Sequence, residues 1–98
     1  MVVIRSFGDD TTADLFRERN TRSARRIPRE LWRIVQRKLK LLDVAERLDD
    51  LAVPAGNRFE LLKGDQAGRH GIRVNDQYRV TFRWENGNAY EVRAEDYH

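Results

Sequence analysis

The chain has 98 residues, 40% apolar and 36% charged, with nine aromatics and a net charge of +3; this length forms one core, and the aromatic content is too high for disorder. There is no cysteine and there are two histidines, His70 and His98, which excludes disulfide scaffolds, thiol catalysis, cysteine-based zinc sites and histidine-rich metal sites. No apolar run approaches the ~20 residues that span a bilayer, and the apolar start is too short for a signal peptide, so the reading is one cytoplasmic domain over residues 1–98.

Val2, Val3 and Ile4 form a short β-branched run that predicts a strand, with a turn at Gly8. Thr11 to Asp14 reads as a capping box ahead of Leu15 and Phe16, opening a first short helix. The polar stretch 20–26 follows as a linker or a frayed helix end. Pro28 suits the first turn of a second helix, with Glu30 near its positive end. Leu31, Val35, Leu39, Leu42, Ala45 and Leu48 recur every three or four positions, which predicts a helix from Pro28 to Leu48 with one apolar stripe. Asp49, Asp50 and residues 54–57 mark the loop out of it.

After Asn57 the pattern alternates. Phe59 and Leu61 predict one face of a strand, followed by a turn around Gly64 to Gly68. Ile72 and Val74 belong to the next strand, which turns at Asn75 and Asp76. Tyr78, Val80, Phe82 and Trp84 form the apolar face of a third, and Tyr90, Val92 and Ala94 that of a fourth. A two-residue Asn86-Gly87 turn would set Phe82 against Glu91 and split the apolar face. A three-residue loop of Glu85, Asn86 and Gly87 pairs Phe82 with Tyr90 and Arg79 with Arg93, and is the expected register. The order is β-α-α-β-β-β-β, an α+β fold with two helices on one face of an antiparallel sheet.

Charge is unevenly placed. Between Arg17 and Lys40 ten basic residues face two acidic ones, a segment net charge of +8, and 16 of the chain's 19 basic residues are arginine. Arginine's rigid fork of donors suits phosphate oxygens, so Arg33 and Arg37 on this stretch are candidate contacts to nucleic acid. The alternates of the predicted strands share the open face of the sheet: Glu60, Gly71, Arg73, Arg79, Thr81, Arg83, Glu91 and Arg93. That face is either a platform for a phosphate backbone or a surface whose acids neutralise its arginines.

The chain closes with Glu95, Asp96, Tyr97 and His98. A histidine titrates near neutrality and passes protons, and Asp and Tyr can orient it. If the last strand continues, Asp96 and His98 share one side and Tyr97 takes the other. His70 reads as an ordinary polar residue at a strand end, and Lys63 as a lysine beside a tight turn.

Leu62-Lys63-Gly64-Asp65, Gly68, the run from Ile72 through Asp76, Gln77 and Tyr78 to Trp84, and the final Asp96-Tyr97-His98 together resemble the HigB-type toxins of the RelE superfamily. The resemblance covers nearly the whole chain; the basic stretch before Pro28 is less typical of the family. It implies a small RelE-like fold and a toxin of a type II toxin-antitoxin system that cleaves mRNA in the ribosomal A site. It implies a HigA-like helix-turn-helix antitoxin as partner, with operator DNA reached only through that antitoxin. Carried over by position, Lys63, Asp96, Tyr97 and His98 are the catalytic candidates and Arg73 and Arg79 the phosphate ligands, with Arg83 beside them on the sheet. No cofactor or metal is called for. Two other classes fit the basic surface: a non-catalytic ribosome- or nucleic-acid-binding module, and a domain that docks an acidic protein such as the antitoxin.

Overall fold

In the computed structural model, which describes residues 2–96, helix α1 spans Asp10–Phe16 and helix α2 spans Trp32–Asp43. Strands β1 (Glu60–Leu61), β2 (His70–Arg73), β3 (Tyr78–Glu85) and β4 (Asn88–Asp96) form one antiparallel sheet in the order β1-β2-β3-β4. The expected α+β architecture is therefore found. Val35, Leu39 and Leu42 of α2 and Leu15 of α1 are buried with Ile72, Val80, Phe82 and Val92 of the sheet, which leaves the sheet's other face without a helix over it.

Several local expectations are corrected. Residues 2–8 do not form a regular strand; they run parallel to β4 through two isolated bridges, Ile4 to Ala89 and Phe7 to Val92. One flank of this segment is bonded to a side chain instead of a strand: the Asp43 carboxylate accepts from the backbone N–H groups of Val3 and Ile4 at 3.0 and 2.9 Å. The cap of α1 is Asp9, which accepts from Thr12 N–H at 2.8 Å, because both threonines are taken up elsewhere. Thr11 donates to the Ser23 carbonyl, and the Thr12 hydroxyl accepts from Ala94 N–H.

The second helix stops at Asp43, not Leu48. Asp50 accepts from the N–H groups of Glu46 and Arg47 at 3.1 Å each and opens a separate 3-10 turn over Leu48–Ala52. Ala45 and Leu48 still reach the core, so the apolar spacing carries past the end of the helix. At the sheet edge Leu61 is exposed, and Leu62 is buried in its place.

The β3–β4 connection reverses the expected register. Glu85 pairs with Asn88 and Arg83 with Tyr90, so the turn is the two-residue Asn86-Gly87 type with both residues at positive φ, 50° and 78°, the geometry that matches strand twist. The split face is repaired by a bulge: pairing resumes one residue later, with Thr81 opposite Arg93 and Val80 opposite Ala94, and Glu91 takes a φ of 52°. Val92 and Ala94 thereby point into the core, whereas Tyr90 leaves the apolar face and stacks under Arg83, whose guanidinium lies 5.0 Å from its ring centre. Arg79 consequently stands opposite Glu95 on β4 and Arg73 on β2, not opposite Arg93.

Candidate active site

The open face carries the alternates of the strand residues that pack against the helices. Along it, Glu60, Gly71, Thr81 and Arg93 make one cross-strand row, and Arg73, Arg79 and Glu95 the next. Arg73 and Arg79 are directly opposed, a pairing that is unfavourable between like charges unless anions intervene. Each guanidinium turns to a carboxylate: Arg73 to Asp76, and Arg79 to Glu60 at 3.3 Å.

Around the Glu60–Arg79 pair lie two adjoining hollows. One, of about 190 Å³, is lined by Arg58, Glu60, Gly71, Ile72, Arg73 and Arg79. The other, of about 280 Å³, is lined by Glu60, Leu61, Leu62, Lys63 and Arg79. The fold thus places Arg73 in the first hollow and Lys63 in the second, with Arg79 and Glu60 lining both, and the two together make up the cleft. Gly71 sits at its floor, and a Cβ there would meet a Leu62 methyl at 3.2 Å and Arg79 Cδ at 3.5 Å. The absent side chain lets the β1 and β3 side chains close over β2.

Two members of this cleft were not singled out from sequence. Arg58 follows an irregular loop, where no periodicity assigns a face, and has φ 44°. It is set by its neighbour Asn57, which is fully buried, donates to the carbonyls of Leu51 and Val53, and accepts from Lys38. Burial and the nearby Arg37 lower the Lys38 pKa. Glu60 was read as a neutralising acid, and it is one, but it is also the cleft's carboxylate.

The arginines of the β4 half of the face are paired with acids as well. Arg83 contacts Glu85 and lies 3.9 Å from Glu91; Arg93 lies 3.7 Å from Glu95. Arg69, also missed from sequence, is only 7% exposed. It donates to Thr81 Oγ1 at 2.9 Å and to the Glu91 carbonyl at 2.8 Å, and burial first, then Arg93, lowers its pKa. The expected neutralisation of the face's arginines by its acids is thus seen at Arg73, Arg79, Arg83 and Arg93.

Asp96 ends β4 opposite Tyr78 and accepts from Gln77 Nε2 at 2.8 Å. It is one strand away from the cleft and, next in sequence to Glu95, shares with Ala94 the side of the sheet opposite Arg79. Tyr97 and His98 lie outside the described residues. Arg33 and Arg37 are not part of this face: with Glu18, Gln36 and Lys40 they line a shallow groove of about 410 Å³ on the exposed side of α2. His70 is stacked between Phe59 and Phe82, with ring centres 5.5 and 5.7 Å apart, and burial lowers its pKa. It is a packing residue. Among the described residues no group of three His, Asp or Glu side chains is placed to hold a metal ion, and no helix is long and apolar enough to cross a membrane.

The family model described as the RelE-like toxin HigB of type II toxin-antitoxin systems matches residues 5–98. The chain belongs to this HigB-like toxin family. Membership in a type II toxin-antitoxin family implies an antitoxin partner. The chain is 48% identical over 65 residues to Toxin HigB-1 of Vibrio cholerae serotype O1, covering 66% of this chain and 68% of that one. It is 35% identical over 83 residues to an uncharacterized protein of Haemophilus influenzae, covering 85% and 80%. To a Proteus vulgaris protein named Endoribonuclease HigB it is 36% identical over 61 residues, covering 62% and 65%. The HigB resemblance read from the Lys63 turn, the Ile72–Trp84 run and the final residues is thus upheld for the family as a whole.

Proposed function

We propose that this HigB-family toxin is an endoribonuclease that cleaves mRNA in the ribosomal A site and so halts translation. The observation that carries the reading is the gathering of Arg58, Lys63, Arg73 and Arg79 in two adjoining hollows that share Glu60 and Arg79, with Glu60 the one lining carboxylate among the described residues. The Proteus vulgaris relative's name supplies the reaction class.

Cleavage of RNA without an added nucleophile needs the ribose 2′-hydroxyl to attack the adjacent phosphorus. The new P–O2′ bond forms as the P–O5′ bond breaks, leaving a 2′,3′-cyclic phosphate and a 5′-hydroxyl. The cations stabilise charge that builds on the phosphate oxygens. The Glu60 carboxylate is the exposed member of its pair with Arg79, so phosphate oxygens can compete with it for the guanidinium. The 2′-hydroxyl proton goes to a carboxylate or an imidazole: Glu60 in the cleft, or Asp96 and His98 from the strand end. Tyr97 stacks on a base or donates to the phosphate, and His98 protonates the leaving 5′-oxygen or accepts the first proton. These groups do not align the RNA by themselves; the ribosome does so, which gives the reaction its dependence on ribosomes. Arg33 and Arg37, on the far side of α2, bind ribosomal RNA instead of the messenger, and Arg83 adds charge beside the cleft. A HigA-like antitoxin holds the toxin inactive, and operator DNA is reached through it.

The test is to add the purified protein to translating ribosomes and map mRNA 5′ ends. New ends inside codons at the A site, lost in His98→Ala and Lys63→Ala, support the reading. Inhibition without new ends makes the protein a binding module, and no inhibition leaves a docking domain. The Arg33→Glu, Arg37→Glu double variant should weaken ribosome binding and flatten its salt dependence.

A further inference from the structure

We propose that Glu95 is a positioning residue for the RNA cleavage proposed above, a reading on which this inference rests: it locks the turn carrying Lys63 to the end of β4 carrying Asp96. Lys63 stands at the start of an exposed 3-10 turn, Gly64–Gln66. Within the turn, Gln66 N–H donates to the Lys63 carbonyl at 3.3 Å and Ala67 N–H to that of Gly64 at 3.0 Å; at its base Leu62 N–H donates to the Arg69 carbonyl at 2.8 Å. Those bonds, with Arg69 N–H to the Gln66 carbonyl at 3.0 Å, hold the turn to Arg69, but none ties it to the end of β4, and exposed turns with few tertiary bonds are the mobile parts of a fold.

That tie is made by Gln66. Its Nε2 donates to Glu95 Oε1 at 3.1 Å. The other Glu95 oxygen accepts from the hydroxyl of Thr81, a fully buried residue on β3. That hydroxyl also accepts from Arg69, which reaches on to the carbonyl at the β4 bulge. One carboxylate therefore ties the Lys63 turn, the middle of β3 and the last described residues of β4 into a single network.

A competing role for Glu95 is neutralisation, since it stands opposite Arg79 and 3.7 Å from Arg93. The two roles differ in sign. Removing an acid that only cancels charge leaves turnover intact and tightens phosphate binding. Removing a positioning acid lowers turnover, because a displacement of ~1 Å in a reacting group costs up to ~100-fold.

The experiment measures kcat and KM for cleavage of a short mRNA on programmed ribosomes, with hydrogen exchange of residues 63–68 and thermal unfolding on the same proteins. Glu95→Ala and Gln66→Ala should each lower kcat by roughly 10- to 100-fold with KM no higher than wild type and faster exchange in the turn. The unfolding midpoint should stay unchanged in Gln66→Ala and fall in Glu95→Ala, which leaves the buried Thr81 hydroxyl without its acceptor. Glu95→Gln keeps one of the two acceptor oxygens in use, for Gln66 or for Thr81, so it should restore part of kcat. The Glu95→Ala, Gln66→Ala double variant should be no worse than the poorer single one, as expected for two ends of one interaction. Wild-type kcat in Glu95→Ala and Gln66→Ala, while Lys63→Ala is inactive, overturns the positioning role and leaves the cleavage reading standing. A wild-type rate in Lys63→Ala overturns both.

Discussion

Glu60 on β1 and Arg79 on β3 meet at 3.3 Å across β2, over the position where Gly71 lacks a side chain. The pair is asymmetric: the Arg79 side chain is 21% exposed and that of Glu60 59%. The arginine is thus held in the sheet while the carboxylate is free to exchange with solvent or with a phosphate. In the proposed reaction Glu60 acting as the base would accelerate cleavage, whereas its charge would repel the substrate.

Glu60→Gln separates those effects. Binding of an uncleavable 2′-O-methyl RNA should tighten severalfold, while cleavage should fall by roughly 100-fold, the usual worth of one general base. Stability should move by no more than about 1 kcal/mol, the range for an exposed ion pair. Filter binding, a cleavage time course and denaturant unfolding check the three parts.

Gly71 makes the second prediction. A valine there adds two methyls beyond a Cβ that already sits 3.2 Å from Leu62 and 3.5 Å from Arg79. Gly71→Val should destabilise the fold by about 1–3 kcal/mol, as overpacking does, and should displace the Arg79 stem, so RNA affinity falls as well. Gly71→Ala should be much milder, because the end of the leucine side chain can yield. Urea unfolding and RNA binding of the two variants side by side measure the difference.

What was legible in the sequence follows from which forces act locally. The stripe of Val35, Leu39 and Leu42 and the alternation of Val80 with Phe82 are period signals, and both segments have the predicted type. The stop at Asp43 was hidden, because it depends on Asp43 bonding to Val3 and Ile4, about 40 residues away in the chain. The β3–β4 register was hidden for a related reason. Asn86-Gly87 favoured a two-residue turn and the apolar pattern favoured another spacing; the bulge at Glu91 satisfies both, and a bulge at a glutamate leaves no glycine to mark it. At the site, Lys63, Arg73 and Arg79 were placed by motif, whereas Arg58 and Arg69 owe their positions to buried hydrogen bonds that no spacing encodes.

Asn57 and Lys38 provide a stability prediction. Asn57 Nδ2 donates to Leu51 O at 3.1 Å and Val53 O at 3.4 Å, and its oxygen accepts from Lys38. Asn57→Ala strips these buried groups of partners at once, so it should cost about 2–3 kcal/mol, the upper part of the range for an unsatisfied buried group. Because Arg58 hangs from this anchor, RNA binding at the cleft should weaken more than the stability loss accounts for at temperatures where the variant is fully folded. Calorimetry and binding at low temperature test both statements.

The last prediction concerns pH and His70. Its ring lies between Phe59 and Phe82, and burial holds its pKa in the folded chain below the ordinary 6.5. In the unfolded chain the imidazole takes a proton near 6.5, so just below that pH the unfolded state binds more protons than the folded one. The contribution of His70 is therefore fully present above pH 6.5, declines as pH falls through 6.5 towards the folded-state pKa, and is constant below it. His70→Phe keeps a flat ring in the stack and removes the titration. Unfolding followed by urea at pH 7.5, 6.5 and 5.5 should show wild-type stability falling on acidification, with the slope reduced in His70→Phe. An identical slope in the two proteins would take the acid sensitivity away from this ring.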